Sequence, residues 1–234
     1  MKRSMLKVLL VVAVLALGGG FALPVQADMV IDFDVLGPSG SITFAGGTDN
    51  PLIGIDIPVD WVAGLGTPSH SNPPSYLITD GKLNFKTGNF ISYYSPARLW
   101  TFDGGGSISI TGTVWYGLVK VATGALLLDG FFDSANVIGY GNTFKIAMGV
   151  FTDTKNADLL TFFGVPWAIG TTLEGSLNLQ FMGTGLAGGA IHSTSIVSGN
   201  VADSIPIPAP ATVLLLGTGL VGLVGLRYRR KRQG

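Results

Sequence analysis

The sequence predicts an all-β protein: an antiparallel β-sandwich or jelly roll, framed by two apolar ends that stand outside it. Three observations carry this. Apolar residues through the middle of the chain recur with period two rather than the 3.6-residue period of a helix. Glycine-rich turn signals separate these runs at close intervals. Cysteine is absent, so a core rather than disulfides must hold the fold. The segment 28–205 spans 178 residues, enough to bury such a core as one domain.

The candidate strands follow in order. Val30–Val35 reads V-I-D-F-D-V, Ser41–Phe44 S-I-T-F and Leu52–Ile57 L-I-G-I-D-I. Lys82–Lys86 alternates strictly, Phe90–Tyr94 and Leu99–Phe102 continue the pattern, and Ser107–Thr111 alternates again. Thr113–Val121, Leu126–Phe132 and Phe144–Phe151 are longer and more apolar, and Leu173–Phe181 and Thr194–Val201 close the series. Turns are expected at Gly46–Asn50, Asp80-Gly81, Gly104–Gly106, Asp129-Gly130 and Gly141-Asn142. Thr67–Ser75 (TPSHSNPPS) reads as an exposed loop. One stretch departs from the β pattern: 155–164 reads as a short helix stopped by Gly164, with Leu159, Leu160 and Phe163 packed on the sheet.

The ends obey different rules. Residues 1–7 are basic, Val8–Leu17 is an unbroken apolar run of ten, and Val25-Gln26-Ala27 places small residues before Asp28. This is the three-part layout of a secretory signal peptide over residues 1–27, cut by signal peptidase between Ala27 and Asp28. At the far end Pro206, Pro208 and Pro210 alternate, which fixes φ and removes N–H donors, so the stretch is extended. Ala211–Leu226 then runs sixteen residues without a charge. As a helix it would reach roughly 24 Å, a short membrane span. Gly219, Gly222 and Gly225 give it a small-residue stripe where another helix can approach. Arg227, Arg229, Arg230, Lys231 and Arg232 form a basic tail at 227–234 that holds the C-terminus in the cytoplasm.

Pro208-Ala209-Pro210-Ala211-Thr212, the Leu-Leu-Leu-Gly helix and the basic tail together resemble a PEP-CTERM sorting signal. The resemblance covers the last thirty residues or so, 206–234, and does not reach the β-domain. It implies recognition by an exosortase, a membrane-embedded cysteine peptidase. Cleavage near the motif would release the chain from an inner-membrane intermediate to the cell surface or extracellular matrix, often in bacteria that make exopolysaccharide. Ala209 stands where that family carries its central glutamate.

Charge and side-chain inventory narrow the function of the β-domain. All fourteen acidic residues lie in it against six basic ones, a net charge of −8. Such a surface does not attract nucleic acid. Without cysteine there is no thiol catalysis and no thiolate metal site. Glu174 is the single glutamate, on an expected solvent-facing strand position. Asp32 and Asp34 share a strand face, but an i, i+2 pair there reads as a solvated edge or a weak calcium site rather than the two converging carboxylates of a hydrolase. His70 and His192 read as surface residues, with no nucleophile elbow and no zinc spacing near them. Asp103–Ser107 is glycine-rich but lacks the lysine of a phosphate loop.

No enzyme, cofactor or metal centre is therefore expected. The reading is an exported, exosortase-processed protein with a structural or adhesive domain among extracellular polysaccharides. The alternative is a carbohydrate-binding module, since Tyr93-Tyr94 and Trp115-Tyr116 each place one ring on either face of a strand. Two or more of the tryptophan and tyrosine rings lying coplanar and exposed would favour that alternative. A secreted hydrolase using aspartates and an outer-membrane barrel come after it.

Overall fold

A computed structural model describes residues 29–71, 75–165 and 172–205. The strands are β1 (Met29–Leu36), β2 (Ser41–Phe44), β3 (Pro51–Pro58), β4 (Trp61–Leu65), β5 (Tyr76–Tyr94), β6 (Leu99–Phe102), β7 (Gly105–Tyr116), β8 (Val119–Tyr140), β9 (Thr143–Lys155), β10 (Leu173–Gly185) and β11 (Ile191–Ile205). One short helix, α1 (Ala157–Phe162), lies between β9 and β10. The expected all-β, antiparallel class is observed.

The sheet closes on itself. β1 and β2 are successive parts of one run that pairs with a second run made of β4 and β3. That run pairs with β5, and β5 with the run made of β6 and β7. The order continues through β8, β9, β10 and β11, every pairing antiparallel. β11 then pairs with β1 and β2, which completes the ring. In place of the two facing sheets expected for a sandwich there is one sheet with neighbours on both sides of every run. Closure removes the unpaired long edges that would otherwise recruit other chains.

The expected turns at Asp80-Gly81 and Asp129-Gly130 are corrected: both dipeptides lie inside strands, β5 and β8. Asp80 sits in the left-handed region at φ 55°, where the register against β7 shifts between Thr79 and Lys82. This is a β-bulge, and its effect is on phase. Tyr76 and Ile78 point inward, and strict alternation would send Asp80 in after them. The bulge turns Asp80 out and brings Leu83 and Phe85 in. β3 repeats the device. Leu52 points inward, Asp56 takes φ 52°, and Ile57 rather than Asp56 enters the core. Asn84 Oδ1 accepts the freed Asp56 N–H at 2.9 Å, and Lys82 Nζ lies 3.2 Å from Asp56 Oδ1 on the outer surface. Gly104–Gly106 likewise joins β6 to β7 within one run rather than reversing the chain. Gly141-Asn142 and Gly46–Asn50 do turn it, the latter with Asn50 Nδ2 donating to the Gly46 carbonyl at 2.6 Å.

Inward positions are filled with side chains. Phe33, Phe44, Trp100, Phe102, Phe144, Phe151 and Phe181 are all fully buried. The outer face alternates with them and is largely polar, as in Ser107, Ser109 and Thr111 on β7 or Ser176, Asn178 and Gln180 on β10. Exposed apolar residues such as Ile55, Leu77, Leu126 and Phe131 are interspersed with them, and the interior is apolar where that of an outer-membrane barrel is polar. Among the described residues no helix is long and apolar enough to cross a membrane.

The barrel has two ends. One carries the β2–β3, β5–β6, β8–β9 and β10–β11 connections. The other carries the β4–β5 and β7–β8 connections, α1, the start of β1 and the end of β11. At this second end Asn156 caps α1, its side chain accepting from the N–H of Asp158 and Leu159. Gly164, at φ 68°, stops the helix as expected. Leu159, Leu160 and Phe163 are buried against the barrel, also as expected.

Candidate functional site: a buried Asp–Lys–Asp cluster under an aromatic cap

The end closed by α1 holds the only charged groups buried among the described residues: Asp153, Lys155 and Asp203. β9 continues its alternation past Phe151, so Asp153 and Lys155 occupy the next two inward positions. Asp203 occupies an inward position near the end of β11. Register sets it against Gly175 of β10, which in turn sits against Phe151 of β9. Gly175 and Gly130 face the cluster, and their missing side chains leave it room. A Cβ on Gly175 would collide with the Phe151 ring and with Asp203 Oδ1, and one on Gly130 would crowd Asp153.

All three charged side chains are fully shielded from solvent. Lys155 Nζ donates to Asp153 Oδ2 and stands 2.9 Å from Asp203 Oδ2 in ion-pair contact. Asp153 Oδ1 and both oxygens of Asp203 have no hydrogen-bond partner. Two carboxylates and one ammonium in an apolar interior would leave an uncompensated charge, whose desolvation costs several kcal/mol per ion. Burial accordingly pushes the Asp203 carboxyl up to about 8, against the attraction of Lys155 and with the help of Asp153. Burial thus favours the protonated form of Asp203.

Above the cluster lies an aromatic cap. His70 stacks on Phe162 at 3.8 Å between centroids, and its Nδ1 is 2.7 Å from the Phe162 carbonyl oxygen. Tyr76 and Tyr116 meet the same group edge-on. Beside them Ser75, Tyr76, Leu77, Thr79, Trp115, Tyr116 and Gly117 line a cleft of about 340 Å³. Trp115 Nε1 donates to Thr79 Oγ1 at 3.0 Å, and Lys120 Nζ lies 5.2 Å from the Trp115 ring. The Tyr76 and Tyr116 rings are inclined at 61°, so they do not form the parallel pair that would suit a sugar face.

The residues singled out in the sequence fall elsewhere. Asp32 and Asp34 are half-buried on the outside of β1, and burial raises both carboxyls above the ordinary aspartate value. Asn200 Nδ2 donates to Asp32 Oδ1 at 3.0 Å. Among the described residues no group of three or more acidic or histidine side chains is arranged to hold a metal. Glu174 and His192 face solvent, and His70 is exposed yet bound into the cap. Tyr93 packs on the buried Trp100 at 4.7 Å while Tyr94 faces outward, the division expected for an adjacent pair on a strand. Ala27, Asp28, the motif Pro208–Thr212, Gly219, Gly222, Gly225 and the basic tail lie outside the described residues.

Sequence reading missed the charged cluster because it ended the strand at Phe151 and began a helix at Lys155. The signal was present. Phe151-Thr152-Asp153-Thr154-Lys155 alternates without a break and sends two charges inward.

No curated protein and no solved structure matches the chain. One family model does, that of the PEP-CTERM protein-sorting motif, over residues 206–231. The match begins at Pro206, directly after β11, at the barrel end that holds the cluster. The C-terminal segment of this chain is thus a PEP-CTERM protein-sorting motif, the mark of an exported protein targeted to exosortase.

Proposed function

We propose that this protein is a non-enzymatic element of the bacterial surface or extracellular matrix, exported by its signal peptide and released by exosortase cleavage near Pro208. The barrel would serve as a structural or adhesive body among exopolysaccharides. The observation that carries the reading is the sorting motif at 206–231. The closed sheet with its filled interior supports it, since a body without free strand edges withstands a crowded exterior without self-associating. Mass spectrometry of the mature termini, in surface and inner-membrane fractions from cells with and without exosortase, tests it. A surface form that starts at Asp28, ends near Pro208 and disappears without exosortase is the expected result. A form that keeps the basic tail and stays in the inner membrane in both strains would overturn it.

A second reading, carbohydrate binding, draws on the cleft beside Trp115 and Tyr116. A titration of tryptophan fluorescence with exopolysaccharide fragments, repeated with Trp115→Ala, tests it. A saturable change that the variant loses is the outcome this reading requires.

A further inference from the structure

We propose that Lys155 and Asp203 condense to an intramolecular amide, with Asp153 as the proton-transfer residue, so that a covalent link joins β9 to β11 across β10.

The site has what this chemistry needs. The nucleophilic nitrogen and the acceptor carboxyl are already in contact, Lys155 Nζ standing 2.9 Å from Asp203 Oδ2. Such proximity, held by two strands of one closed sheet, replaces an encounter between separate reactants. Asp153 is hydrogen-bonded to the same Nζ and can take its proton. Solvent reaches none of the three side chains, so hydrolysis of the product is suppressed. A protonated carboxyl is the better electrophile, and burial favours that form of Asp203.

The step balances. The Lys155 ammonium gives one proton to the Asp153 carboxylate. The neutral amine attacks Cγ of the protonated Asp203 carboxyl, and a C–N bond forms. The tetrahedral centre loses a C–O bond, and its hydroxyl leaves as water with a second proton from the nitrogen, relayed through Asp153. The products are a neutral amide, one water and a protonated Asp153. No oxidant, metal or cofactor takes part. The reaction also answers the orphaned oxygens of the cluster. It replaces three ionisable groups in an apolar interior by an amide and a neutral acid that can hydrogen-bond to each other.

The link would enclose the chain between residues 155 and 203, including the helix and the whole of β10. It does not depend on the sorting or carbohydrate readings, because it rests on the barrel interior alone.

Peptide mapping of the purified full chain decides the matter. There is no Lys or Arg between Lys155 and Arg227, and Glu174 is the sole glutamate. Digestion with trypsin and a glutamate-specific protease therefore separates an unlinked chain into fragments 146–155, 156–174 and a fragment beginning at Gly175. A linked chain yields no free 146–155. It gives instead 146–174 joined to the fragment beginning at Gly175, lighter by one water than the sum of the two, with fragmentation placing the bond at Lys155 and Asp203. Free 146–155 in full yield, or a bond from Lys155 to any other residue, would overturn the proposal. Asp153→Asn and Asp203→Ala, checked for folding by circular dichroism, are expected to abolish the link. A link that survives in Asp153→Asn would remove Asp153 from the mechanism. The wild-type map stands by itself should either variant fail to fold.

Discussion

The two ends of the barrel are built from different materials. At the end of the short turns aromatic rings dominate the interior, packed with Leu52, Val137, Ile146 and Ile191. Phe44 meets Phe102 edge-on at 5.1 Å, Trp100 lies 5.8 Å from Phe144, and Phe144 stacks on Phe181 at 5.4 Å. Its buried polar groups are satisfied: Trp100 Nε1 donates to the Gly189 carbonyl at 3.3 Å, and Thr87 Oγ1 accepts from the Leu52 N–H at 3.0 Å and donates to the Gly88 carbonyl at 2.8 Å. At the opposite end the same alternation delivers Asp153, Lys155 and Asp203 to the interior, where Asp153 Oδ1 and Asp203 Oδ1 have no hydrogen-bond partner and Asp203 Oδ2 has only the ion-pair contact with Lys155. The first end needs no more than hydrophobic burial to be explained. The second spends stability on charge, the departure from local consistency that marks a site of function.

This contrast can be broken by mutation. Trp100→Ala empties a fully buried position at the aromatic end and is expected to cost about 3–5 kcal/mol, equally at pH 5 and pH 8. Lys155→Ala removes the one buried cation of the other end and should match that cost, about 3–5 kcal/mol, at pH 8, because two buried acids are left without a counter-charge. Its pH dependence should differ in kind. An acid whose folded value is raised binds its proton more tightly when folded, so its contribution is intact below the unfolded value and is lost as pH rises toward the folded one. The Asp203 carboxyl is raised from 3.8 to about 8 with Lys155 present, and removing that cation can only raise it further. Parent and variant therefore share the loss of stability up to about pH 8, and above it only the variant goes on losing, so the cost of Lys155→Ala relative to the parent should grow there while that of Trp100→Ala stays level. Denaturant melts of parent and variants below and above about pH 8 read both effects. A Lys155→Ala cost as indifferent to pH as that of Trp100→Ala would erase the distinction between the ends. Gly175→Ala sharpens it at smaller scale: the added Cβ meets Phe151 and Asp203, for a cost of about 1–3 kcal/mol by thermal melt.

Much of the strand pattern was legible because period-two alternation and inward burial report the same physical fact. The helix at 157–162 was equally legible, since Asn156 and Gly164 carry the cap and stop in their own chemistry. Ring closure was not legible. It depends on β5 and β8 running through Asp80-Gly81 and Asp129-Gly130, and a dipeptide that favours a turn also favours a bulge. The bulges at Asp56 and Asp80 hide themselves further, because each shifts the alternation by one residue where a strict period would place an aspartate in the core. The charged cluster was half legible. Asp153 and Lys155 follow from alternation along β9, but Asp203 joins them only through the register of β10 against its two neighbours, which no local pattern encodes.

The seam between β1 and β11 has a consequence for timing. Met29 pairs with Ile205, so the first strand of the domain to leave the cytoplasm waits for the last before the ring can shut. Contacts so distant along the chain form late in folding. The sorting motif begins one residue after that last strand. Completion of the barrel and arrival of the sorting motif at the membrane are thus successive moments of one export event. A chain stalled before Ile205 would lack both the strand that shuts the ring and the motif that follows it, so closure and sorting depend on the same last stretch of chain.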